Sequence, residues 1–326
     1  MNILLISALA AALPALLYSL AIWLLDKYER EPWGLILITF VWGAVPAVVV
    51  SLILEITFEL PLALLVNEQT SAAITAVLGA PIIEELAKGF ALLLVFLVYR
   101  KQFDGILDGI VYASLIGFGF AMSEDFLYFL SAYLQEGIQL LQFTFFLRTI
   151  LFGLNHAFYT SFTGLGFGYA SLASNRRGLL VWLAPPLGLA GAVMAHMFHN
   201  FALVVFDWPG LWMSLVVSWG GVLVFLSIVL LTWQREGVWL RTQLLEEIQS
   251  GLLSSDEFKV LPSWRRRIAV QLRELSQRGV ARALRVRRRQ ELLTRLAFLK
   301  NRRAATGLDT RVEAESLRAQ IRQMAV

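Results

Sequence analysis

Seven times before residue 234 the chain runs apolar for about the length that crosses a bilayer, over roughly 2–25, 34–58, 76–98, 106–130, 152–173, 179–203 and 211–233. A transmembrane helix needs about 20 such residues. Composition agrees, with 58% hydrophobic residues and 16% charged, against about 25% charged in an ordinary soluble domain. A soluble enzyme, a disordered chain and a coiled coil are excluded. The expected fold is all-α, a polytopic transmembrane helix bundle of about seven to eight spans with a basic helical tail. The eighth candidate, 137–150, is apolar but short and ends at Arg148, so it reads as an interfacial or half-inserted stretch leading into the fifth span. The first segment has no basic residue before its apolar run, so it is expected to stay as a span and not to be a signal peptide. No internal repeat of the kind that builds many transporters is visible.

Charge divides the chain in two. Residues 1–233 hold eight Lys and Arg against 14 Asp and Glu, whereas residues 234–326 hold 20 against 10. Two domains are expected: a transmembrane domain at 1–233 and a basic helical cytoplasmic tail at 234–326. Cytoplasmic loops carry the excess of Lys and Arg. Lys27 and Arg30, Arg100 and Lys101, and Arg176 and Arg177 fall on one side of a seven-span chain, and the basic tail falls on that side too. Only Arg148 falls opposite. The N-terminus is therefore expected outside and the tail inside, in a multi-pass protein of the plasma membrane.

Ionisable groups at membrane depth are costly and mark function by default. The third span contains Glu84, Glu85 and Lys88. Three central charges cost on the order of 8–10 kcal/mol, and the apolar run from Leu92 to Val98 returns only about 3 kcal/mol. This helix must turn its charges to partners inside the bundle. Lys88 lies four residues after Glu84 and three after Glu85, so it shares a face with either. Glu124 and Asp125 lie in the fourth span, Asp104 and Asp108 near its cytoplasmic start, His156 in the fifth span, and His196, His199 and Asn200 in the sixth. All three His of the chain lie within spans, and Cys is absent, so any metal must be held by His, Asp or Glu. With the cytoplasm fixed, Glu84, Glu85, Glu124, His156 and His196 fall about 3–10 Å to the outer side of their span centres at 1.5 Å per residue. Four helices of alternating direction thus carry polar groups at a common depth.

These residues resemble the PrsW family of bacterial intramembrane proteases, within the superfamily of the CAAX prenyl endopeptidases and abortive-infection proteins. The resemblance covers most of 20–205. It runs through Asp26-Lys27-Tyr28-Glu29-Arg30-Glu31-Pro32-Trp33, Glu84-Glu85-x-x-Lys88, Asp108-Gly109-Ile110-Val111-Tyr112, Gly117-Phe118-Gly119-Phe120, Glu124, His156 and His196-x-x-x-Asn200. Asp125 departs from the pattern, where relatives are expected to carry Asn. The resemblance implies an intramembrane endopeptidase acting on a membrane-anchored protein. Glu84 is then the general base, supported by His156; Glu85 positions Glu84 or the water; His196 and Asn200 donate to the oxyanion. Lys88 and Glu124 support the site. In the metal version His156, His196 and Glu85 hold a catalytic zinc with an open fourth position. The implied cut lies near the outer face of the membrane, a first cut before a second protease acts deeper.

A proton-coupled transporter or a non-catalytic membrane scaffold would also place Glu, His and Lys at depth, and these are the competing classes. The tail reads as a solvated regulatory or oligomerising helical domain with a cap at Ser254-Ser255-Asp256-Glu257. Its runs Arg265-Arg266-Arg267 and Arg287-Arg288-Arg289 suit anionic lipid headgroups. No nucleic-acid module accompanies them, and no nucleic-acid partner is expected.

Overall fold

The computed structural model describes residues 2–324 apart from 29, 101, 104, 173–177 and 308, and of 305 and 306 the backbone alone. Glu29, Lys101, Asp104, Arg176 and Arg177, used above for motif and loop charge, lie outside the described residues. The chain forms two compact units, one of residues Met1–Leu25 and Glu31–Ser227, the other of Asp26–Arg30 and Ile228–Val326.

The described residues are helical and contain no strand. In chain order the first unit holds α1 (Ile3–Leu25), α2 (Trp33–Leu65), α3 (68–98), α4 (Ile106–Glu136), α5 (138–151) and α6 (Asn155–Leu172). A long helical stretch, Leu179–Gln243, follows and breaks at Asp207, where φ is 48° and ψ is −121°. The break reverses the chain. His199 Nδ1 and Ser214 Oγ lie 2.5 Å apart, although a straight helix would spread 15 residues over about 22 Å. We label the two arms α7 (179–206) and α8 (208–243).

Five stretches among the described residues are long and apolar enough to cross a membrane: Ile3–Leu25, Trp33–Leu65, Ile106–Glu136, Ile138–Leu172 and Leu179–Gln249. The difference from the seven expected has two physical sources. The charges of Glu84, Glu85 and Lys88 remove α3 from a count made on apolarity. The reversal at Asp207 divides the last stretch between two of the seven.

α4 is buried along most of its length from Leu107 to Ala121, so it forms the axis of the unit. Small residues let its neighbours close on it. A Cβ on Gly109 would meet the Gly164 carbonyl oxygen of α6 at 2.1 Å, and one on Gly117 would meet the His156 carbonyl oxygen at 2.6 Å. This close approach carries His156 to the middle of the bundle.

Among the described residues, three short π-helical stretches interrupt the helices, at Gly43–Ala47, Thr75–Gly79 and Phe146–Leu151. Such turns disturb the ordinary ladder of carbonyls, and within a membrane a displaced carbonyl needs another donor. Each stretch has one from a different helix. Ser123 Oγ donates to Ala44 O at 2.5 Å, Asn200 Nδ2 to Ala76 O at 2.7 Å, and Tyr18 OH to Thr149 O at 2.9 Å.

The second unit has a core of its own, built on Leu240, Leu244, Leu253, Leu292, Leu296 and Ile321, into which Tyr28 is packed. Tyr28 OH donates to Pro262 O at 2.8 Å, and Lys27 Nζ lies 3.0 Å from the centre of the Trp233 ring. Its helices after α8 are α9 (Leu245–Gln249), α10 (Ser255–Val260), α11 (Trp264–Arg278), α12 (Val280–Thr306) and α13 (Arg311–Gln323). Ser254 caps α10 in a reciprocal capping box with Glu257, as its sequence predicts. Glu247 is buried and bound by Arg318 at 2.6 Å and Lys300 at 2.9 Å. Burial alone would raise the Glu247 carboxyl, but these two cations hold it below the usual range.

The two arginine runs, expected to suit anionic headgroups, are not uniformly exposed, and each has one side chain turned inward. Arg267 is buried, and burial pushes its guanidinium down to about 10. Arg289 is buried too, donating to Glu257 Oε1 at 2.6 Å and to the carbonyls of Leu252 and Ile321 at 2.8 Å. A buried guanidinium survives where its donors are matched in this way.

Candidate active site

The third span's arithmetic required partners for Glu84, Glu85 and Lys88, and α6 and α7 supply them. All three side chains are buried, Glu85 and Lys88 fully. Lys88 Nζ donates to Glu84 Oε2 and to Glu85 Oε1, both at 2.9 Å, and stands 3.1 Å from His156 Nδ1. The face of Phe120 closes over the ammonium at 3.8 Å. From α7, His196 Nδ1 reaches Glu85 Oε1 at 3.2 Å, and from α6 Thr160 Oγ1 donates to Glu85 Oε2 at 3.1 Å. The Tyr159 ring stacks on His196 at 4.7 Å. Glu85 is thus held by three elements, whereas Glu84 has Lys88 as its near partner and both imidazoles further off, at 3.9 and 4.0 Å.

The hydrogen bonds assign the His156 tautomer. An ammonium only donates, so the Nδ1 facing Lys88 accepts. Nε2 then carries the proton and donates to Glu124 Oε2 at 2.8 Å. Glu124 is anchored in turn by Arg148 Nη2 at 2.6 Å, and Arg148 Nε reaches Asp125 Oδ1 at 2.5 Å. A carboxylate behind an imidazole fixes its ring and its free nitrogen.

Of the residues expected from sequence, the structure brings Glu84, Glu85, Lys88, His156 and His196 together and sets Glu124 directly behind His156. Asn200 is engaged elsewhere, at the Ala76 carbonyl of the π-helical turn before Glu84. Arg148, Asp125, Tyr159 and Thr160 join the site beyond the residues that the sequence assigns to it. Arg148 had a signal, as the one basic residue on the wrong side of the loop-charge pattern, and the Asp125 departure supplies its second carboxylate. Tyr159 and Thr160 follow His156 by one helical turn, a face shared with it.

Glu84, Glu85, His156 and His196 each offer one ligand atom, and these atoms all lie within 4.8 Å of one another. Neighbouring ligands of a tetrahedral zinc with bonds of about 2.1 Å stand about 3.4 Å apart. The donor set therefore fits a metal of that class after a contraction on the order of 1 Å. Its central space is approached by the Lys88 ammonium, which meets the same demand for positive charge.

Comparison with known proteins decides between the functional classes. The family model described as PrsW family intramembrane metalloprotease matches residues 31–239. The chain belongs to the PrsW family. It is 32% identical to Protease PrsW of Geobacillus kaustophilus over 187 residues, 57% of this chain and 71% of that protein. It is 31% identical to Protease PrsW of Oceanobacillus iheyensis over 204 residues, 62% of this chain and 85% of that protein. No solved structure matches the chain. As a PrsW family member the protein is a multi-pass intramembrane peptidase, and the transporter and scaffold readings give way. The matched range takes in all four candidate ligands and most of the first unit.

Proposed function

We propose that the protein is an endopeptidase of membrane-anchored proteins, with zinc or a similar divalent ion held by His156, His196 and Glu85 and with Glu84 as general base. The observation that carries this is the convergence of two buried carboxylates, the buried His196 and the half-buried His156 from three helices within one small volume. The metal would supply Lewis acidity, lowering the pKa of water and polarising the scissile carbonyl. The rest falls to the chain. Glu85, tied to Thr160 and His196, is the more constrained carboxylate and suits a ligand. Glu84, with fewer partners, takes the proton from the attacking water at its Oε2 and returns it to the leaving amine. Glu124 and Arg148 hold His156 with Nδ1 toward the centre. Lys88 offsets charge beside both carboxylates.

The Lys88 contacts of 2.9 Å favour a second version, in which no metal is used and the ammonium stabilises the oxyanion beside a Glu84-activated water. Purified protein given a membrane-anchored model substrate separates the two. Loss of cleavage in chelator and recovery with zinc supports the first; undiminished cleavage in chelator with bound metal removed supports the second. Glu84→Gln, Glu85→Gln, His156→Ala and His196→Ala should each abolish cleavage in folded protein, and full activity in either His variant would overturn both.

We further propose that the N-terminus is outside, that residues from 234 on are cytoplasmic and bind anionic headgroups, and that the cut falls near the outer membrane face. The charges of Lys27, Arg30, Arg100 and the tail support this orientation. The native chain lacks Cys, so Thr70→Cys should react with an impermeant maleimide on intact cells and Ser276→Cys only after lysis. The reverse pattern would overturn the orientation.

A further inference from the structure

Helix α11 is turned inside out. Arg267 and Glu274 are its buried residues, whereas Leu272 is 58% exposed and Leu275 42% exposed. Trp264, Ile268, Leu272 and Leu275 recur at i, i+4, i+8 and i+11, one stripe of a helix. Trp264 and Ile268 are half-buried, yet none of the four belongs to the hydrophobic core of this unit. The buried face is fixed by polar contacts instead: Glu274 Oε2 meets Arg278 and Arg282 at 3.4 Å, and Gln271 Nε2 donates to Gln290 Oε1 at 2.7 Å. The contacts of this neighbouring face leave the apolar stripe turned outward. Exposed Arg265 borders it beside Leu272, and exposed Arg278 borders its other edge.

A helix with a Trp- and Leu-bearing stripe edged by arginines suits the interfacial layer of a membrane, where the apolar face enters the headgroup boundary and the cations meet anionic lipid. The chain's path keeps such a surface within reach. This unit receives residues 26–30 from the end of α1, returns them to α2, and receives α8 directly. It is therefore tied to apolar helices at three points.

We propose that α11 is an interfacial helix, seating Trp264, Ile268, Leu272 and Leu275 in an anionic leaflet with Arg265 and Arg278 on the headgroups. This deepens the reading of the tail as a cytoplasmic, lipid-facing domain and rests on it, because the cytoplasmic leaflet is the anionic one. The test uses the full chain, one copy per nanodisc, with a nitroxide on Leu272→Cys. The two leaflets of a nanodisc are alike, so docking is read whichever way the chain inserts, and a failed orientation and a failed docking remain distinguishable. In discs containing phosphatidylglycerol, oxygen should collide with the label more than a water-soluble nickel chelate does. In phosphatidylcholine discs, or with Arg265 and Arg278 both changed to Gln, the nickel chelate should dominate. At about fivefold per arginine the docked-to-free ratio should fall on the order of 30-fold. A label on Gln277→Cys should stay water-accessible throughout. Nickel access to position 272 in anionic discs overturns the proposal. So does protection seen only when two copies share a disc, which would make the stripe a contact between chains.

Discussion

Lys88→Met tests the centre of the site without touching a proposed ligand. Lys88 is fully buried and makes two ion pairs of 2.9 Å, to Glu84 and Glu85. Methionine keeps most of the volume and removes the charge, leaving two neighbouring carboxylates with no ammonium between them. Breaking one buried pair costs about 3–5 kcal/mol, and here a single change breaks two, so the upper end applies. For a unit of roughly 200 residues each kcal/mol moves the melting midpoint by about 2–4 °C. A fall on the order of 10 °C or more is expected in chelator, read as thermal unfolding in detergent. If the four donors bind a metal, zinc at about 100 times its Kd should return roughly 2.7 kcal/mol, and thus much of the lost midpoint. An unchanged midpoint for Lys88→Met in chelator would refute the view that this ammonium holds the carboxylates in place.

Gly117→Ala puts a methyl 2.6 Å from the His156 carbonyl oxygen, and since that atom is backbone, α6 must move; kcat/KM should drop about 100-fold, the scale of a 1 Å misplacement, in protein that still inserts. Asn200→Ala should lower thermal stability by about 1–3 kcal/mol by stranding the Ala76 carbonyl, with activity per folded molecule falling less than the 10²–10³ of a lost oxyanion donor. In the second unit Glu247 and Glu257 are held below the usual carboxylate range by their cations, against burial. Their folded pKa lies below the unfolded one, so this stabilisation is present above about pH 4.3 and fades as pH falls below it; amide exchange across 244–300 should accelerate there, and unaltered protection at pH 3 would contradict it.

Much of the site was legible because membrane burial makes charge conspicuous. Glu84, Glu85 and Lys88 could not face lipid, and His156 and His196 lie at matching depth on neighbouring helices; the structure joins them. What the sequence did not disclose are features without periodicity. The π-helical turns leave no trace in an apolar pattern, and so the bond from Asn200 to Ala76 O was invisible, whereas the family pattern pointed to chemistry. The reversal at Asp207 lies where the sequence shows only a short gap between apolar runs. In sequence Arg148 stands as the stray charge of a short segment or as a partner for Glu124. Its side chain lies on a π-helical turn that reaches Glu124 and Asp125, a geometry no spacing rule supplies. In the tail the same helical spacing joins Leu292, Leu293 and Leu296, which are core, and Leu272 and Leu275, which are not. Spacing identifies a stripe but not what it faces.

The membership of residues 26–30 in the second unit has a consequence for biosynthesis. Tyr28 fills a core otherwise made from residues 240 and beyond, so its partners leave the ribosome roughly 200 residues later. At about 5–20 residues per second that delay is about 10–40 s, longer than a helix takes to form by many orders of magnitude. Through that interval the peptide between the first two membrane helices waits with an unsatisfied aromatic ring, open to chaperones and to proteolytic surveillance. Closure of the second unit then marks a chain whose late residues have been made and have folded, a completeness check written into the order of translation.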